Sequence, residues 1–259
     1  MRIISLCPSN TELIGYLGKE SMLIAVDDYS NWPESINGLP RVGPDLTIDM
    51  DKVEQMKPDL VLASLSVPGM EKNVYELIKR DIPHLVLNPQ SLEEIACDLE
   101  TVGKALGFPD LGREKAAFFR KDIERCRIAA KNRKGYSIYW EWWPKPVFTP
   151  GGPNWLTEIS ELAGGRNIFA SEPEANVRTD WDEVAVRNPD HICLVWVGVD
   201  EKKVQPELLK KRPGWENVRA VQNNHVYVLG DSLYCRPSPR LLLGLEKLMA
   251  TLSGQSSLR

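Results

Sequence analysis

Short apolar runs alternate along the chain with stretches whose apolar positions recur every three or four residues. Residues 2–6, 23–26, 59–63 and 84–87 read as strands, and 9–17, 50–56, 69–80 and 92–106 as the helices between them. That alternation predicts a parallel sheet flanked by helices. From Asp110 to Arg133 only Gly112 interrupts, and Ala116, Phe119, Ile123 and Cys126 recur at helical spacing among many charges, which predicts one long helix. Beyond it the rhythm restarts: strands at 137–140, 191–197 and 225–229, and helices at 154–162 and 239–251.

A faint repeat links the two halves. The segment from Asp51 through Pro58 and Asp59 aligns without gaps to that from Asp182 through Pro189 and Asp190. In each, a short helix stops before a proline, which disfavours α geometry in its predecessor, and an Asp turn launches a buried strand. The fold class that follows is α/β: two α/β lobes with parallel sheets, joined by one long helix. The expected divisions are an N-terminal lobe over 1–109, the bridging helix over 110–133 and a C-terminal lobe over 134–259.

Composition narrows the function classes. With 42% apolar and 26% charged residues and a formal net charge of −4, the chain fits neither disorder nor a nucleic-acid-coating surface. Its longest apolar runs, such as Ile192 to Val199, are far short of the ~18–20 residues a membrane helix needs, so no span is expected. The chain opens directly on a strand-like run without the pattern of a secretory signal or lipid anchor. The expectation is a cytoplasmic protein as written, or an extracytoplasmic one if the native N-terminus differs. Cys7, Cys97, Cys126, Cys193 and Cys235 are odd in number and lack C-x-x-C spacing, so neither a disulfide framework nor a metal site is indicated.

The nucleotide-binding loops, zinc-protease helix and nucleophile elbow of common enzymes are missing. His84, His191 and His225 each stand at the entrance of a predicted strand and read as structural. Gly151-Gly152 is too isolated to cradle a phosphate. Two aromatic loops carry more information. Tyr29-Ser-Asn-Trp32-Pro33 follows the second strand, at the carboxyl end of a parallel sheet, where open α/β folds bind ligands. Trp140-Glu-Trp142-Trp143, continuing through Pro146 and Phe148 to Pro150, follows the first strand of the second half in the same way. Seven of eight tryptophans lie in that half. Stapling the loop to its lobe is one reading; a broad, rigid, apolar surface for a large flat ligand is the other, and the favoured one.

Five segments in order resemble the cobalamin-type substrate-binding proteins of ABC importers, a helical-backbone class that also includes siderophore and haem binders. They are Ser5-Leu-Cys-Pro8-Ser-Asn10-Thr11-Glu12, Asp28-Tyr29-Ser30-Asn31-Trp32-Pro33, Lys57-Pro58-Asp59-Leu60-Val61, Arg212-Pro213-Gly214-Trp215 and Arg236-Pro237-Ser238-Pro239-Arg240. The resemblance implies a non-enzymatic binding protein with no intrinsic cofactor, holding cobalamin or a related corrinoid in the cleft between lobes. Positions matching ring contacts are Tyr29 and Trp32 in the first lobe and Trp142, Trp143, Phe148 and Trp196 in the second. Arg41 and Arg178 are the nearest cationic candidates, so a neutral flat ligand is favoured over an anionic siderophore. The resemblance also implies docking on a permease through one acidic residue per lobe. Glu71 matches the first, but Cys235 stands where the second is expected, which puts delivery in question. The rivals are an iron-siderophore or haem binder, with Tyr29 or His225 on the iron, and a cytoplasmic enzyme or sensor acting on a corrinoid-like ligand, with Glu12, Asp28 or Tyr29 as acid/base groups.

Overall fold

The computed structural model describes residues 1–131 and 135–253, so 132–134 of the expected bridging helix and second lobe, and the terminal residues 254–259, lie outside the described residues. The elements run β1 (Ile3–Ser5), α1 (Pro8–Tyr16), β2 (Leu23–Val26), α2 (Met50–Gln55), β3 (Leu60–Ser64), α3 (Glu71–Lys79), β4 (His84–Leu87), α4 (Leu92–Ala105) and α5 (Pro109–Ala130). They continue with β5 (Tyr136–Glu141), β6 (Trp143–Pro144), β7 (Val147–Pro150), α6 (Trp155–Leu162), β8 (Gly165–Asn167), β9 (Asn176–Thr179), α7 (Trp181–Arg187), β10 (His191–Leu194), α8 (Arg219–Gln222), β11 (Val226–Val228) and α9 (Leu241–Leu252). The chain divides into two compact units, one of Met1–Arg120 with Pro237–Pro239, the other of Lys121–Arg236 with the segment from Arg240; the division falls inside α5.

Each unit is built on a four-stranded parallel sheet, in the order β2-β1-β3-β4 in the first and β11-β10-β5-β8 in the second. Read from the other edge, the second order puts its strands in the sequence second, first, third, fourth, as in the first unit. The faint repeat is therefore structural. Lys57 and Asn188, equivalent in the alignment, both take left-handed backbone before their proline, with φ of 47° and 46°. Sequence rules favour extended geometry there; the left-handed turn instead closes the helix and reverses the chain into the strand. Asp59 then accepts the backbone N–H of Arg2 at 2.6 Å, and Asp190 that of Ser137 at 2.9 Å, so each Asp ties the third strand of its sheet to the start of the first.

Capping fixes the helix starts. Ser91 accepts from the Glu94 amide at the head of α4 and Asp180 from the Glu183 amide at the head of α7. Gly112, which broke the apolar pattern, lies inside α5. A Cβ on Gly103 of α4 would come within 2.6 Å of the Gly112 Cα, so the two glycines let these helices meet backbone to backbone. In the first unit Ile4, Leu6, Ala25, Val53, Val61 and Leu77 form a core on one side of the sheet. In the second, Tyr139, Phe169, Val184, Ile192, Leu194 and Trp215 do the same.

Several sequence expectations need correction. The strand expected over 191–197 ends at Leu194, and the Pro-rich stretch after β5 is an antiparallel hairpin, not a loop: β6 pairs β7 and β7 pairs β9. Trp140 belongs to β5 and is wholly buried, its Nε1 donating to Ser160 of α6 at 2.8 Å. Among the described residues, no helix is long and apolar enough to cross a membrane.

Candidate functional site

In the first unit the loop after β2 is shaped by a buried chain of hydroxyls. Asp27, fully buried at the end of β2, accepts the backbone N–H groups of Tyr29 at 2.8 Å and Ser30 at 3.0 Å, and the Ser30 hydroxyl donates to its second oxygen. Ser30 Oγ in turn meets Thr11 Oγ1 at 2.8 Å, and Thr11 donates to Ser5 Oγ at 2.8 Å. Burial pushes the Asp27 carboxyl up to about 6, against the opposing effect of these donors. Arg41 donates to the carbonyls of Asp27 and Ser30, so it braces the loop. Tyr29 emerges from the turn 49% exposed. Trp32 lies half-buried over α1, where a Cβ on Gly15 would come 2.7 Å from its ring.

In the second unit, backbone hydrogen bonds gather four candidate aromatics at the carboxyl ends of β5 and β10. Trp142 N–H donates to the Phe148 carbonyl at 2.9 Å, and Val197 N–H to the Trp142 carbonyl at 3.3 Å. Trp143 sits opposite Phe148 in the hairpin, and Phe148 opposite Arg178 of β9. Residues directly across an antiparallel pair share a face, so Trp143, Phe148 and Arg178 stand in one row. Trp143 is 42% and Phe148 36% exposed; Trp142 is only 8% exposed, its ring against Trp155 at 6.1 Å. Trp142 thus presents little surface, while Trp143 and Phe148 present much. Beside the hairpin, Pro144, Lys145, Pro146, Arg178 and Trp181 line an open groove of about 720 Å³.

Beneath these aromatics lies a pair that sequence reading did not single out as functional. Glu141, closing β5, is fully buried and receives two hydrogen bonds from Arg212, at 2.6 and 2.8 Å. It also accepts from Trp196 Nε1 at 3.1 Å and from the Tyr139 hydroxyl at 3.0 Å. The visible signals were a carboxylate set between tryptophans at the end of a mostly apolar strand and Arg212 at the head of one of the segments that carry the resemblance.

The other candidates fall elsewhere. His225 stacks on His191 at the entrance end of its strand, with Nδ1 near the Asp190 carbonyl, away from the carboxyl end where ligands sit. That placement overturns His225 as an iron ligand. Glu12 is buried and accepts from Ser238 at 2.5 Å, a structural role that removes it as an acid/base group. Asp28 accepts the Gly43 amide. Glu71 begins α3, exposed, with its carboxylate on the Gly69 amide at 2.7 Å. Cys235 is half-buried, its thiol facing the Val195 carbonyl at 3.6 Å; burial holds its pKa well above the ordinary thiol range. Among the described residues, no group of three or more His, Cys, Asp or Glu could hold a metal ion.

Two α/β units, each built on a parallel sheet with aromatic side chains beyond the carboxyl ends of its strands, have the architecture of a ligand-binding protein. The chain belongs to the periplasmic binding protein family, whose model matches residues 3–233. It is 28% identical to the vitamin B12-binding protein of Vibrio campbellii over 242 residues, covering 93% of this chain and 85% of that one. To a Bacillus subtilis substrate-binding lipoprotein of ABC-transporter type, YvrC, it is 29% identical, covering 95% and 78%. The crystal structure of the periplasmic vitamin B12-binding protein BtuF of Vibrio cholerae superposes with a TM-score of 0.80 at 26% identity, covering 99% and 98%. A periplasmic haem-binding protein of Pseudomonas aeruginosa, at 23% identity and a TM-score of 0.83, shares the fold.

Proposed function

We propose that this chain binds cobalamin or a related corrinoid and serves an ABC importer. The observation that carries the reading is the exposed Trp143–Phe148 pair at the carboxyl end of the second sheet, in a chain whose relatives of 26–29% identity include vitamin B12-binding proteins. Two adjoining aromatic rings on a hydrogen-bonded hairpin offer a flat apolar ligand contact area at little entropic cost. Trp196 extends that surface, and Tyr29 and Trp32 are the proposed contacts on the first unit. The reading includes a place outside the cytoplasmic membrane, in keeping with the relatives' descriptions as periplasmic and lipoprotein. Glu71 is its docking carboxylate on the first unit. The neutral thiol of Cys235 supplies no matching charge on the second, so docking rests chiefly on Glu71 and is weak.

Calorimetry and tryptophan fluorescence with cobalamin, and with haem as a parallel arm, test the reading. Binding of cobalamin with quenching is expected. Trp143→Ala with Phe148→Ala should weaken it by roughly 2–4 kcal/mol, on the scale of ~1–3 kcal/mol per lost apolar contact, with a smaller loss of stability, on the scale of the ~0.2–1 kcal/mol of a cross-strand pair. No heat and no quenching with cobalamin would overturn the proposal, and binding of haem alone would replace it.

A further inference from the structure

The buried Glu141–Arg212 pair plays no part in the ligand contacts named above, yet every acceptor position around its carboxylate is used. Oε1 takes Trp196 Nε1 at 3.1 Å and one Arg212 nitrogen at 2.8 Å; Oε2 takes the other Arg212 nitrogen at 2.6 Å and the Tyr139 hydroxyl at 3.0 Å. The guanidinium cannot swing away, because it lies between the rings of Trp181 and Trp215, 4.6 and 4.4 Å from their centres. Those rings are pinned in turn: Trp181 Nε1 donates to the Pro144 carbonyl at 3.1 Å and Trp215 Nε1 to the Trp181 carbonyl at 3.0 Å.

We infer that Glu141 and Arg212 are positioning residues for ligand binding: they fix the Trp196 indole in one orientation, with its N–H withheld and its ring left to meet the ligand. Stability alone is a weak reason to bury such a pair, since replacing it by apolar side chains of similar volume is often neutral or stabilising. What an apolar pair cannot do is accept the Trp196 N–H. Trp196 stands two residues beyond β10, where Val195 and Val197 still bond the backbone at the end of β5; its main chain is therefore fixed, and the half-buried indole is held at its N–H by Glu141. With its donor committed to Glu141, it reads the shape of an apolar ring face and makes no demand on the polar pattern of the ligand's edge. Such preorganisation removes the cost of ordering the ring when the ligand arrives. The inference rests on the corrinoid reading for its ligand arm only.

The test replaces the pair together, Glu141→Met with Arg212→Met, so that no charge is left buried alone. The Trp196 indole N–H is identified in a proton–nitrogen correlation spectrum as the cross-peak lost in Trp196→Phe. In the double variant that cross-peak should move and its exchange with solvent quicken while the urea midpoint stays close to wild type. Cobalamin should bind roughly 3- to 10-fold more weakly, the scale of immobilising one side chain on binding. In a Trp196→Phe background the same replacement should change Kd less than about twofold. An unmoved, protected cross-peak, or an equal loss of affinity in both backgrounds, overturns the inference. If wild type does not bind cobalamin, the corrinoid reading falls and the cross-peak alone decides the positioning. Should the double variant not fold, Arg212→Lys takes its place: it keeps a positive charge opposite Glu141 but loses the two-pronged clamp, so the cross-peak should broaden, and an unchanged one overturns the inference.

Discussion

Replacing Gly15 by alanine isolates what holds Trp32 in place. The new Cβ would stand 2.7 Å from Trp32 Cζ3 and 2.8 Å from Pro33 Cδ, whereas carbon atoms pack comfortably at about 3.5–4.0 Å. The indole and the proline ring must withdraw by roughly 1 Å. Overpacking of this kind costs about 1–3 kcal/mol, and alanine's better helix propensity inside α1 returns about 1 kcal/mol. The expected net is a loss of roughly 0–2 kcal/mol, read as a shift of the urea midpoint at constant slope. Trp32→Leu in the Gly15→Ala chain should relieve the clash, so the two substitutions should be non-additive by about 1 kcal/mol or more. Gly38→Ala is the control, since nothing lies within 4 Å of a Cβ there, and it should change stability by less than about 0.5 kcal/mol. If Trp32 contacts the corrinoid as proposed, Gly15→Ala also weakens cobalamin binding. Strict additivity of the two substitutions, with unchanged tryptophan emission in Gly15→Ala, would refute the packing argument.

Two further predictions concern pH and have opposite signs. Burial, with a smaller push from Glu94, raises the Asp98 carboxyl from 3.8 to about 7, so its contribution to stability is complete below pH 3.8 and lost as pH rises through 7. The full effect corresponds to about 4 kcal/mol, which partial exposure reduces to roughly 2 kcal/mol; Asp98→Asn should stabilise by that amount at pH 8 and by much less at pH 5, and equal effects at both would sink the assignment. Burial, reinforced by His225, lowers His191 from 6.5 to about 4, so its contribution is complete above pH 6.5 and lost as pH falls through 4. His191→Phe should therefore flatten the acid limb of the stability profile by roughly 2–3 kcal/mol relative to wild type, and an unchanged limb in urea titrations from pH 7 to 4 would count against it.

Much of the fold was legible because its signals are local. The helix–Pro–Asp–strand repeat announced two alike sheets, whose Asp59 and Asp190 tethers join adjacent strands; the left-handed turns at Lys57 and Asn188 run against the extended geometry that a following proline favours and were not legible. Charge-rich helical spacing announced α5, and aromatic loops after strands announced where the exposed rings of Tyr29, Trp143 and Phe148 stand. What each tryptophan does was decided only in three dimensions. Trp140, in β5, and Trp142, just beyond its end, are both buried because α6 brings Ser160 against the one and Trp155 against the other. Trp143 stands in a hairpin, and β9, some thirty residues on, pairs with the hairpin's second strand and sets Arg178 beside Phe148. Gly15 matters to Trp32, and Arg212 to Glu141, only because the folded chain brings them together across 17 and 71 positions. Periodicity records which way a side chain points; what stands opposite it is set by long-range packing, and on that rest both the exposure of Trp143 and the fixed orientation of Trp196.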